Sequence, residues 1–341
     1  NLKKHVESGT SFNTATGWME VQNRIRKSNN RERMIKILSY AAAVLVPVFF
    51  VGISLKYTTH DYFSNKSVLI AQPILPGAAK AILTLDNGET INLNKETADA
   101  LQTIEGTNIQ IDSTTLNYQL AQSTSVSPKP VYNKVEIPRG GEYALVLSDG
   151  TKVHLNSMSS LRFPVAFTTG KREVELQGEA YFEVSKTGQP FIVNANGMQV
   201  EVLGTTFNIS AYPDEEYQTT LVNGSVKVSA EKGESLILKP SQQATIALGS
   251  NSIQVRTVDT SFYTSWVKGK INFKDQRLED IMKTLSRWYD MNVVYENEKL
   301  KNIRFGCNLN RYEEITPFVK LLEKTEEVHV KIEGNTITFH N

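Results

Sequence analysis

Four glutamates, Glu173, Glu175, Glu179 and Glu183, crowd the string REVELQGEAYFEV and are the first residues whose type and spacing point to chemistry. Paired carboxylates hydrolyse glycosidic bonds when one acts as acid and the other as nucleophile or base. The string alternates polar and apolar residues, which predicts a strand. On a strand Glu179 and Glu183 share a face but stand about 13 Å apart, wider than either glycosidase geometry. The glutamates therefore read as solvent-facing residues opposite Ala180, Phe182 and Val184.

Other chemistries find less support. The five histidines, His5, His60, His154, His329 and His340, are scattered, with no pair at helical i,i+4 spacing and nothing like HExxH. The single cysteine, Cys307, excludes an intramolecular disulfide and a cysteine-cluster zinc site. No GxSxG, Walker or GxGxxG string precedes a helix. The chain has 3 Trp, 13 Tyr and 14 Phe, a sugar platform by number, although strand aromatics serve core packing equally well. Turnover of another molecule, a metal and a cofactor are not expected. With 37 Lys+Arg against 36 Asp+Glu, the net charge of +1 gives no electrostatic case for direct nucleic-acid binding.

The elements behind these residues begin with an apolar run. Residues 37–55, ILSYAAAVLVPVFFVGISL, carry no charge, and as a helix they reach about 28 Å, matching a hydrocarbon core of about 30 Å. A transmembrane helix is expected over 36–56. Arg24, Arg26, Lys27, Arg31, Arg33 and Lys36 precede it while Lys56 and Lys66 follow, so the positive-inside rule places the N-terminus in the cytoplasm. The run is longer than a signal-peptide core, and KYTTHDYF behind it offers no small-residue cleavage site. The chain reads as single-pass, with a short basic cytoplasmic end and the rest, including the C-terminus, on the far side of the membrane.

Beyond the anchor, short alternating runs punctuated by Asp-Gly and Asn-Gly predict an all-β region over 57–262. The runs 143–147 and 152–155 flank Asp149-Gly150 and read as a hairpin with a tight two-residue turn. An internal echo supports stacked β-architecture: PGAAKAILTLDNGETINLN (76–94) aligns without gaps on PRGGEYALVLSDGTKVHLN (138–156). From 264 the pattern changes. Leu278, Ile281, Met282, Leu285, Trp288 and Tyr289 mark one face of a helix, and Ile315, Phe318, Val319 and Leu322 another. With strands predicted over 268–274, 291–295, 304–307, 328–332 and 336–339, residues 264–341 form a small α+β domain of order βαββαββ, with two helices on one face of a sheet.

The strings IPRGGEYALVLSDGTKVHLNSMSSLRFP, GEAYFEVSKTGQPFIV, VEVLGTTFNISAY, LVNGSVKV and QQATI, in that order, closely resemble the FecR family of membrane-anchored anti-sigma regulators. His154 stands where that family usually carries Trp. The terminal string INFKDQRLEDIMKTLSRWYDMNVVYEN is similar to the short N-terminal signalling domains of secretins and TonB-dependent transducers.

The resemblance implies that the outer region senses the signalling domain of a TonB-dependent outer-membrane transducer, while the cytoplasmic end holds or licenses an extracytoplasmic-function sigma factor. A sheet edge of the terminal domain would suit docking by strand addition. The family usually carries a longer helical domain before the membrane, so residues 1–35 read as its remnant and the chain as a fragment. Trp18, Val21 and Ile25, at i, i+3 and i+7, fit its last helix and a sigma-binding face. Some family members self-cleave at a Gly-Thr bond, which here maps to Gly204-Thr205; a tight turn between strands is the alternative there. Membrane proteases would act after such a cut. A tethered periplasmic module that binds a glycan directly, with no sigma partner, is the competing reading.

Overall fold

Alternation of buried apolar and exposed polar side chains builds most of the chain. In 141–146, Gly141, Tyr143 and Leu145 point inward; in 172–183 every second residue from Arg172 to Phe182 does. The structure, a computed structural model, describes residues 73–93, 110–111, 114–118, 130–168 and 170–341. The expected membrane helix and Trp18, Val21 and Ile25 lie outside them. Among the described residues no helix is long and apolar enough to cross a membrane.

Two sheets share one long strand, Arg172–Glu183. Its first half lies in a sheet between Ser160–Pro164 and Phe191–Ala195, which continues outward to Tyr132–Glu136 and Ala81–Thr84 on one side and Met198–Val202 on the other. Its second half lies between Lys152–Leu155 and Thr206–Ala211 in the other sheet, which continues to Gly141–Val146 and Tyr217–Asn223. The change of sheet falls at Gly178, with φ +86°; a Cβ there would press on Ser159, whose Cα would be 2.7 Å away. One apolar core, including Leu83, Leu145, Phe163, Phe182, Phe191 and Phe207, fills the space between the sheets.

The two echoing strings fold alike. Ala81–Thr84 pairs with Thr90–Leu93, setting Leu83 opposite Ile91; Gly141–Val146 pairs with Lys152–Leu155, setting Leu145 opposite Val153. The turns match as well: Leu85 N–H bonds Glu89 O and Leu147 N–H bonds Thr151 O, both at 2.9 Å. Each loop has three residues, Asp86-Asn87-Gly88 and Ser148-Asp149-Gly150, rather than the two-residue turn expected. Asp149 prefers the longer loop because its carboxylate accepts from Thr151 N–H at 2.9 Å and Thr151 Oγ1 at 2.7 Å.

After the sheets, α1 (Ser261–Thr264) and one 3₁₀ turn lead to the terminal region. The strand expected at 268–274 starts later, at Lys270, because Gly269 closes the 3₁₀ turn in the left-handed conformation. Strand Lys270–Arg277 precedes α2 (Leu278–Trp288); strands Asn292–Tyr295 and Arg304–Asn310 precede α3 (Thr316–Glu323); His329–Glu333 and Thr336–His340 close the chain. The expected single sheet is two: Lys270–Arg277 pairs with Arg304–Asn310, while Asn292–Tyr295, Thr336–His340 and His329–Glu333 form a second. The helix α2 touches strands of both, and its buried face, Leu278, Ile281, Met282, Leu285 and Trp288, belongs to a second apolar core that joins them. A helix with apolar partners on two sides can close a layer on each, which periodicity along the chain does not reveal.

Candidate functional site

The outer face of the sheet that holds the second half of Arg172–Glu183 is covered by the terminal region, and this junction brings Glu179, Asn156, Asn208, Arg287 and Arg311 together. Glu173, Glu175 and Glu183 face solvent as expected, but Glu179 is only half-exposed. Its carboxylate accepts from Asn156 Nδ2 at 2.6 Å and from Asn208 Nδ2 at 2.9 Å. Both carboxamides are fixed in orientation by their oxygens: Asn156 Oδ1 accepts from Arg311 at 2.6 Å and Asn208 Oδ1 accepts from Trp266 Nε1 at 3.2 Å. Burial raises the Glu179 pKa, opposed by the two asparagine hydrogen bonds and the charges of Arg287 and Arg311. Alternation predicted the outward direction of Glu179 correctly; what it missed is that a second folded region covers that face.

Three arginines make the junction. Arg311 is only 1% exposed and has its guanidinium carbon 3.7 Å from the Trp288 ring centroid, with Glu142 Oε2 at 3.3 Å. Arg287 stacks on Tyr212 at 3.8 Å and pairs with Glu215 at 2.5 Å; the Tyr212 hydroxyl donates to Ser157 O at 2.9 Å. Arg139 reaches from the β-region to the end of α2, donating to Ser286 O at 3.1 Å and Met291 O at 2.5 Å. Helix C-terminal carbonyls lack intrahelical donors, so a guanidinium is a fitting cap. Gly140, φ +62°, continues the contact by donating its N–H to Arg287 O at 2.7 Å. The IPRGGEY string is thus the socket for α2.

Beside these contacts opens a cleft of about 890 Å³ whose walls include Glu179, Asn208, Tyr263, Trp266, Asn272 and Arg287. Neither Gly204 nor Thr205 lines it. They lie between strands Met198–Val202 and Thr206–Ala211, where Thr205 is 5% exposed and its hydroxyl donates to Ser225 O at 3.0 Å. A Cβ on Gly204 would collide with Lys186, and one on Gly224 would come within 2.9 Å of Thr205 Oγ1. The Gly-Thr pair is therefore held tightly between two chain segments.

Residues 133–227 match the family model described as FecR protein, and residues 270–339 match the one described as FecR, C-terminal. The chain belongs to the FecR family. Its FecR region supplies Arg139, Glu142, Asn156, Glu179 and Asn208 to the junction, and its FecR C-terminal region supplies Arg287, Trp288 and Arg311. Two crystal structures of a candidate anti-sigma factor from Parabacteroides distasonis ATCC 8503, at 1.65 and 2.50 Å, are similar to this FecR-family chain. The first shares 26% identity at a TM-score of 0.57 over 61% of this chain and 98% of that one; the second shares 25% at 0.57 over 62% and 99%. No curated protein matches.

The sequence strings that carry the family likeness contain Arg139, Asn156, Glu179 and Asn208 but give none of them a partner. Arg311 and Trp266 fall outside those strings. A lone arginine in CNLNRYEEITP carries no periodic signal, and the only hint available was the Gly-Gly of IPRGGEY, which marks a close backbone approach.

Proposed function

We propose that this chain is a transmembrane anti-sigma regulator, relaying a signal from a TonB-dependent outer-membrane transducer to an extracytoplasmic-function sigma factor. The observation that carries the reading is the succession of a FecR region and a FecR C-terminal region, in a chain similar to a candidate anti-sigma factor. The apolar, charge-free run at 37–55 with basic residues before it supports an inner-membrane anchor with the N-terminus in the cytoplasm. Sigma binding then falls to the cytoplasmic segment, with Trp18, Val21 and Ile25 as its apolar face. Transducer docking falls to the terminal region, 264–341.

Self-cleavage at Gly204-Thr205 belongs to the same proposal. The Thr205 hydroxyl attacks the Gly204 carbonyl carbon, the amide C–N bond breaks, and an ester forms with a free amine on Thr205. Water then hydrolyses the ester, leaving a Gly204 carboxylate and restoring the hydroxyl. Confinement of Gly204 against Lys186 and of Thr205 against Gly224 holds the two groups in place. Membrane proteases act afterwards on the anchor.

Crosslinking of the tagged chain in its native membrane, followed by mass spectrometry of partners and fragments, tests the reading. A transducer signalling domain is expected on 264–341 and a sigma factor on 1–35. Recovery of glycan or envelope components alone would replace the regulator with a tethered binding module.

A further inference from the structure

The strand that follows the expected anchor in sequence is gripped by both regions at once. Ile74 is buried in the terminal region's core cluster, with Trp288, Tyr289 and Met291, although Leu75 beside it is 61% exposed. Three residues on, Gly77 lies flat against Trp288; a Cβ there would stand 2.7 Å from the indole ring and 2.8 Å from Gly140 O. Ala78 and Ala79 then pair in parallel with Gly141 and Glu142 of the β-region. Ala78 N–H donates to Gly140 O at 3.0 Å and Lys80 N–H to Glu142 O at 3.3 Å.

The peptide at Gly140 therefore faces two ways. Its N–H is bonded to the C-terminal end of α2 through Arg287 O at 2.7 Å, and its C=O to the entering strand through Ala78 N–H. Arg139 adds its own bonds to the same helix end. A strand pairing of two residues is too short to hold on its own. What keeps 73–79 in place is the seat of Ile74 and Gly77 on the terminal region together with the Gly140 bridge.

We infer that residues 73–79 form a clasped tether: the terminal region, by docking on the Arg139-Gly140 turn, holds the chain leaving the anchor, and its displacement releases that chain. Release adds up to about 24 Å of extended reach between anchor and β-region. A ligand or partner that levers the terminal region off its socket would thereby change how far the β-region stands from the membrane. That consequence rests on the regulator reading; the clasp itself does not, and its test needs no partner.

Amide hydrogen exchange on the full chain in detergent reads the clasp directly. In the unaltered protein Ala78, Lys80, Gly140 and Met291 are expected to exchange as one unit. Gly77→Val, which drives a side chain into Trp288 and Gly140 O, is expected to speed all four by about tenfold or more while 206–211 and 316–323 stay protected. Arg139→Ala removes the bonds to Ser286 and Met291 and the 3.2 Å ion pair with Asp290, all at or just beyond the C-terminal end of α2, and is expected to loosen Ala78 and Lys80 as well, which it does not touch. Should Gly77→Val unfold the chain, Arg139→Ala decides the matter. If that variant speeds exchange at 286–291 and leaves Ala78 and Lys80 unchanged, the tether is not held by the terminal region. Fast exchange at Ala78 and Lys80 in the unaltered protein overturns the clasp equally.

Discussion

Arg311 and Trp288 bind each other twice: the guanidinium carbon lies 3.7 Å from the indole ring centroid, and the indole N–H donates to the Arg311 carbonyl at 2.6 Å. The same guanidinium reaches Asn156 and Glu142, so one side chain closes the terminal core and fastens it to the β-region. Arg311→Ala leaves Glu142 facing a void and is expected to cost about 3 kcal/mol, the low end for breaking a buried pair because Glu142 is 22% exposed. Arg311→Lys keeps the charge but loses the planar stack and fork, for about 1–2 kcal/mol. Urea unfolding followed by tryptophan fluorescence checks both, since Trp266 and Trp288 sit at the junction.

Glu179 sets a pH dependence of definite sign. Burial raises its pKa above that of an unfolded glutamate, so between the two values the folded chain binds the extra proton. Stability should therefore fall as pH rises from the ordinary glutamate value through the raised one, and stay lower above it. Glu179→Gln removes that slope. It also sets one amide NH₂ against Asn156 or Asn208, neither of which can turn because its oxygen is engaged. At acidic pH, where Glu179 is protonated, the variant is expected to be less stable by about 1–2 kcal/mol. Melting temperature measured from pH 4 to 8 in both proteins shows whether the slope disappears.

The Asp149-Arg172 pair ties the repeat hairpin to the shared strand. Its atoms approach to 2.6 Å at 1% exposure for Arg172 and 7% for Asp149, and Arg172 also donates to Ser185 O and Gln189 O. Arg172→Met strands the Asp149 carboxylate and two carbonyls, for an expected loss of about 3–5 kcal/mol. Chemical denaturation should show the β-region losing this stability with no change in the pairing of the two terminal sheets.

Thr205 separates a packing role from a chemical one. Thr205→Ala gives up a buried hydroxyl bonded to Ser225 O, costing about 1 kcal/mol, and is expected to abolish the fragment ending at Gly204. Thr205→Ser retains the nucleophile and should retain the fragment. Mass spectrometry of the purified chains decides: an unchanged fragment pattern in the alanine variant rules the hydroxyl out.

Local rules carried the sequence reading as far as local physics extends. Period-two alternation placed the strands on either side of Gly150, and the ungapped echo of 76–94 in 138–156 foretold two hairpins that share one register. Spacings of three and four residues located α2 and its buried face from Leu278 to Trp288. These signals are short-range because a side chain's direction is fixed by its own backbone. What covers an outward-facing residue is set elsewhere. Arg311 meets Asn156 across 155 positions, and Glu179 turned from a solvated carboxylate into a half-buried acceptor because that distant region packs over its face. The split of the terminal strands into two sheets has the same origin: the pattern along each strand says which face is apolar, while the pairing of edges is chosen by whichever core the assembled helices leave to be filled.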